Sequence, residues 1–252
     1  MFWILFLLLA WAGVLTSATR LLRAATEAAE PAPRPAAVRR HGALSLYEAA
    51  YLAGGPERVA VLTLLSMERR HRLLLARTGW ATVLDPVGRD AHERAVLGAF
   101  GPDGQSPVSA VRRAAAAHAA VRALADRLDE AGLAVPREVR DAVSDGARSV
   151  RRAAVLVVAM AAASLAVPAD GATVAKVLYW FALPMLLVVC CLAVAGPGGP
   201  GCSPWASPAG QRLLLALERE RAGADPLAAV AVRGLRAVRD PDLRAALGRD
   251  TP

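Results

Sequence analysis

Lysine is almost missing from this sequence: among 30 Lys+Arg residues, Lys176 is the only lysine. Cysteine is scarce too. Cys190, Cys191 and Cys202 lack any C-x-x-C spacing, which excludes a cysteine zinc site and a disulfide framework. The four histidines, His41, His71, His92 and His118, are scattered with no H-E-x-x-H pairing, so a metal centre of that type is excluded. There is no G-x-S-x-G and no G-x-x-x-x-G-K, hence no nucleophile elbow and no P-loop. Gly196-Pro197-Gly198-Gly199-Pro200-Gly201 is rich in glycine. Proline interrupts it and no helix follows at once, so it reads as a linker and not as a phosphate cradle.

Few groups remain for chemistry. His92 and Glu93 are adjacent, and adjacent residues of a helix do not face each other. His118 sits in an apolar stripe and reads as a core histidine. Cys190 and Cys191 read as small apolar groups inside an apolar run. Lys176, with only Asp170 near it in sequence, reads as a lysine that snorkels to a membrane surface; its functional alternative is an intramembrane charge for transport. The sequence therefore predicts no enzyme, no metal, no cofactor and no small-molecule ligand.

What is abundant is apolar surface. The chain is 55% hydrophobic with a mean hydropathy of +0.36, and the excess is concentrated in three runs. The first spans residues 1–19. Ser17-Ala18-Thr19 offers small residues for cleavage, but no basic stretch precedes the run, so it reads as an uncleaved anchor. The second, Ala153 to Val167, gives about 22 Å of helix against a hydrocarbon core of about 30 Å. The third, Thr173 to Ala195, is long enough, with Tyr179-Trp180-Phe181 placed as interfacial aromatics and Pro184 tolerable within it. Pro168 to Ala172 makes a tight turn, so residues 151–195 form a transmembrane helical hairpin.

Charge position orients these runs. Between Arg20 and Arg152 there are 21 arginines, and eight more follow Ala195. Three crossings put all 29 on one side and leave Lys176 alone on the other. The expected topology is an inner-membrane protein with its N-terminus outside and its main domain cytoplasmic.

Residues 20–42, rich in Ala, Pro and Arg, read as an extended linker. Residues 43–150 read as a cytoplasmic helical domain. Ser45 and Glu48 form a capping box. Gly54-Gly55 ends the first short helix and Pro56 opens a second, which runs to about Arg70. Leu73 to Ala76 and Trp80 to Leu84 flank a glycine and predict a hairpin. A third helix covers Ala91 to Phe100. Ser106-Pro107 starts one long helix to Ala131, with Val111, Ala114, His118, Val121, Leu124 and Leu128 as its stripe. Two helices and a hairpin suggest a winged-helix-like layout, with Glu68-Arg69-Arg70-His71-Arg72 as its one concentrated basic patch. Residues 196–252 form a Gly/Pro linker and an amphipathic tail, with helices started at Ser207-Pro208, Asp225-Pro226 and Asp240-Pro241. The tail either lies on anionic lipid or packs on the residue 44–135 domain. The fold class is thus mainly α, with three transmembrane helices and one short hairpin.

Leu46-Tyr47-Glu48-Ala49-Ala50-Tyr51-Leu52-Ala53-Gly54-Gly55-Pro56-Glu57-Arg58, Glu93 to Leu97, Gly132-Leu133 and Ala229 to Leu247 together resemble a family of uncharacterised actinobacterial-type membrane proteins. The resemblance covers about residues 43–248. Members often end in a Gly/Cys-rich tail, which is absent here, and the resemblance implies no activity. The motif residues Tyr47, Glu48, Tyr51, Gly54, Gly55, Pro56 and Arg58 read as a structural corner with a role in partner contact. The expected function is a non-catalytic protein-interaction component embedded in the lipid bilayer. The alternative is a membrane-tethered regulator that binds DNA through residues 43–135.

Overall fold

The computed structural model describes residues 44–166, 174–195, 203–221 and 225–249, with residues 8, 11–16, 18–19 and 23 of the first run. The 20–42 linker apart from Arg23, the Pro168–Ala172 turn and the Gly196–Gly201 linker lie outside the described residues. The chain is mainly helical with a small three-stranded sheet. It divides into two compact units, one of residues 1–31 and 136–200, the other of residues 32–135 and 201–252.

The second, sheet-bearing unit is built around α1, Leu46–Arg69. Its capping box forms as expected: Glu48 N donates to Ser45 Oγ, and Ser45 N to the Glu48 carboxylate. Helical geometry breaks at Gly54 and Gly55, giving two arms. The second arm is the axis of the core. Every residue from Val59 to Met67 is buried, as only a helix surrounded on all sides can be. Strands β1 (Leu73–Leu75) and β2 (Trp80–Val83) form the expected hairpin, with Leu74 opposite Thr82.

Two expectations fail next. Helix α2, Ala91–Leu97, is followed by a third strand, β3, Gln105–Pro107, which pairs with β2. Ser106 and Pro107 therefore belong to a strand, and the helix opens one residue later than expected, at Val108, with Pro107 as its N-cap and no side-chain cap. Proline fits there because β3 is an edge strand and needs no ladder donor at that position. The long helix to Ala131 is two helices, α3 (Val108–Ala116) and α4 (Ala119–Glu130). Buried Ala115 and buried Val121 are six residues apart, which in one continuous helix places them about 120° apart around the axis, off a common stripe. The break lets both reach the core. His118 is consequently no core histidine: it is exposed, and its Nδ1 caps α4 by accepting from Ala120 N at 3.2 Å.

The tail belongs to this unit. Helices α7 (Pro208–Arg221), α8 (Pro226–Arg233) and α9 (Pro241–Gly248), with a 3-10 turn at Gly234–Ala237, all contribute to it. Of the two placements open to the tail, packing on the 43–135 region is the one found. Ser207 N donates to Leu133 O at 2.8 Å, and Val135 N to Trp205 O at 3.0 Å. Asp225 and Asp240 cap their helices as expected.

In the other unit, α5 runs unbroken from Arg137 to Ala166 and packs against α6, Val174–Ala195. The expected domain end at residue 150 thus falls within a helix, and the compact units divide at Pro136. Val150, Ala153 and Val157 are buried on one stripe of α5, and Val188 is buried on α6. Residues 11–16 are helical, and Gly13 lies beside the Leu156 side chain. Among the described residues, no helix is long and apolar enough to cross a membrane. By that criterion the three expected crossings are not shown.

Candidate functional site

The glycine corner gathers the motif residues. Gly55 has φ of +73°, in the left-handed region that favours glycine. A Cβ there would lie 2.3 Å from the Trp205 ring, so the indole sits where any side chain would go. Tyr51 meets the same indole edge to face, with centroids 5.5 Å apart. Gly54 departs from helical geometry, at φ −159° and ψ 15°, and leaves room for the Arg58 side chain.

Arg58 reaches across the corner. Its Nη1 donates to the Val232 carbonyl at 2.7 Å. That carbonyl lies in the last turn of α8, where a cation complements the helix dipole. The Arg58 guanidinium also lies beside Gly234, 3.2 Å from where a Cβ would stand. Burial lowers the Arg58 pKa below its ordinary value. A cavity of about 190 Å³ remains between Arg58, Leu214 and Glu218. The corner is therefore a socket, and its occupant is the chain's own tail.

A second cluster joins α1, the hairpin and α2. Arg72 is 2% exposed and Glu93 1%. Arg72 Nη1 donates to Glu93 Oε2 at 2.5 Å, and its Nε to Asp85 Oδ2 at 3.0 Å. Glu93 also accepts from Arg89 N at 2.8 Å. The hydrogen bond to Glu93, more than any other contact, raises the Arg72 pKa. Asp85 is held below the usual carboxylate range, first by the Val87 amide and then by Arg72. Arg72, expected in an exposed basic patch, is thus an interior ion-pair partner. One signal was legible: Glu93 falls on the same helix turn as apolar Val96, the face α2 buries.

Tyr47 extends this cluster. Its hydroxyl donates to Asp90 Oδ2 at 3.0 Å, while Asp90 Oδ1 caps α2 through Glu93 N at 2.7 Å. Burial first, and Asp90 second, raise the Tyr47 pKa. The His92 ring lies 4.3 Å from the Tyr47 ring, and its buried Nδ1 has no hydrogen-bond partner. Burial lowers the His92 pKa, which keeps the ring neutral near pH 7. His92 and Glu93 point to different neighbours and do not form an acid–base pair. The backbone of Lys176 lies in α6, with its side chain outside the description. Among the described residues, no three His, Cys, Asp or Glu side chains converge as a metal site requires.

Comparison with known proteins returns no match among family models, curated proteins or solved structures. The geometry therefore stands alone. Both clusters spend their polar groups on holding helices together: one fastens the tail, the other closes the hairpin onto α2.

Proposed function

We propose that the chain is a multi-pass protein of the bacterial inner membrane, with its N-terminus outside, that displays a cytoplasmic unit for binding other proteins and performs no catalysis. One observation carries the topology. Residues 32–135 and 201–252 form one compact unit, and a folded unit lies wholly on one side of a bilayer. The segment between them must then cross an even number of times. Two crossings, by α5 and α6, meet that requirement.

Three further features support this reading. The same two stretches carry 22 of the 29 arginines, and the other seven lie at 20–23 and 137–152, before the α5 apolar run on the same side, as the positive-inside rule requires. On α5 and α6, Val155, Val158, Leu183, Leu186 and Val189 are exposed, a distribution suited to lipid contact. The 22 residues of α6 extend about 33 Å, enough to span a hydrocarbon core. The first run adds a third crossing. The resemblance to a family of membrane proteins fits the same picture.

The DNA-binding alternative gains nothing comparable. The arm of α1 that a winged helix would lay in a groove is buried at every residue from Val59 to Met67, and Arg72 is committed to Glu93. Reporter fusions after Arg40, Asp170 and Arg249 test the topology. We expect cytoplasmic, external and cytoplasmic signals in that order, and an external signal at Arg40 overturns it. Crosslinking in native membranes tests the partner role, and recovery of no specific protein counts against it.

A further inference from the structure

The three-stranded sheet has one face in the core and one face that is open. Leu73, Leu75 and Ala81 are buried beneath it. On the other side stand Leu74, Trp80 and Leu84, at 58%, 48% and 57% exposure, with Val87 following at 65%. Strand alternation puts Trp80 and Thr82 on the same face, the register sets Leu74 opposite Thr82, and exposed Leu84 follows the strand's last residue. The open face of an antiparallel sheet is ordinarily polar. This one carries a tryptophan and two leucines.

Its surroundings are cationic. Arg69 and Arg70 end the helix that feeds β1, Arg77 sits in the hairpin turn, Arg89 follows Val87, and the Arg249 side chain lies against Gly79. All five are exposed. Asp85 and Glu93 are turned onto Arg72, Glu93 also pairs with Arg70 at 3.7 Å, and Asp242 pairs with Arg77 at 3.5 Å.

We propose that this sheet face, Leu74, Trp80, Leu84 and Val87 with its arginine surround, docks on the anionic inner surface of the membrane. Apolar side chains beside arginines are the composition of an interfacial contact: the former enter the headgroup boundary and the latter meet lipid phosphates. The inference rests on the membrane topology above. That tether keeps the anionic leaflet at high effective concentration, which favours lipid over a freely diffusing acidic protein.

The test uses the full-length chain in nanodiscs, with Cys190, Cys191 and Cys202 replaced by Ala and a spin label at Val87→Cys. A second label at Leu84→Cys guards against a local artefact. The docked label is expected to collide preferentially with lipid-soluble oxygen in phosphatidylglycerol discs and with a water-soluble relaxant in phosphatidylcholine discs. Arg77→Ala and Arg89→Ala should each lower the docked-to-free ratio about fivefold, equivalent to about 1 kcal/mol per arginine near an anionic surface. Water exposure in both lipids overturns the proposal. So does shielding that is found only in native membranes, which assigns the face to a protein. A control label at Leu186→Cys separates the two ideas: if it too is in water, the membrane topology has failed; if it is in lipid while Val87 is not, only the docking has failed.

Discussion

The two units of this chain treat the same kind of residue in opposite ways. In the sheet-bearing unit, Leu52, Leu62, Leu64 and Leu73 are almost wholly buried. In the α5–α6 unit, Val155, Leu183 and Leu186 are as apolar and stand exposed. The buried polar side chains among the described residues also lie in the sheet-bearing unit. The sheet-bearing unit buries an arginine and a glutamate as a pair, which water-soluble interiors admit only with partners in place. Hydrophobicity alone therefore does not identify a core. What distinguishes the units is how much of the apolar surface the protein itself covers.

The comparison can be broken most severely at the buried ion pair. Glu93→Ala leaves the buried Arg72 with Asp85 as its remaining ion-pair partner, and should destabilise the sheet-bearing unit by up to about 3–5 kcal/mol. Hydrogen exchange on the full-length protein should lose protection in Leu62–Met67 and keep it in Val150–Val157. Equal loss in both would show that the units are not separate. Next, Leu64→Ala should cost about 2–5 kcal/mol, while Leu186→Ala, at an exposed site, should change stability by no more than about 0.5 kcal/mol. Denaturant titration of both variants in the same detergent makes that contrast direct.

Gly55→Ala comes third, at about 1–3 kcal/mol, because a positive φ and the Trp205 ring both oppose a side chain. Trp205→Ala removes only the second obstacle. A double-mutant cycle should therefore show coupling, and strict additivity would mean that the indole does not occupy the corner. The smallest effect is alkaline. The folded Tyr47 holds its proton above the ordinary value of 10.0, so the contribution is complete below pH 10 and is lost as pH rises above it. The slope is at most about 1.4 kcal/mol per pH unit. In Tyr47→Phe, that part of the decline in melting temperature should vanish.

Local chemistry made much of the sheet-bearing unit readable. Ser45 with Glu48, Gly54-Gly55-Pro56, and the Asp-Pro pairs at 225 and 240 each satisfy backbone groups within a few residues, so each signal and its consequence lie together. Features that depend on distant partners were not readable. Strand β3 exists because β2 offers it an edge. His118 caps a helix because Ala115 and Val121 must both face the same core. Arg72 looks like one more topology-setting arginine until Glu93 and Asp85 close on it. For the corner, the residues were identified from sequence but the occupant was not. Trp205 and Val232 come after the entire α5–α6 stretch, and no pattern near Tyr51 or Arg58 announces them.

That separation matters during synthesis. Arg58 meets the carbonyl of a residue 174 positions later, and a ribosome adding about 5–20 residues per second needs roughly 9–35 s to deliver it. For most of that interval Tyr51, Gly55 and the neighbouring apolar surface have no indole over them, and the nascent unit waits half-finished until both intervening helices have emerged. Completion of the unit is thereby a signal that the segment before the tail has been made and settled. A chain whose tail fails to return to α1 keeps an open corner, the kind of unfinished surface that chaperones and proteases recognise.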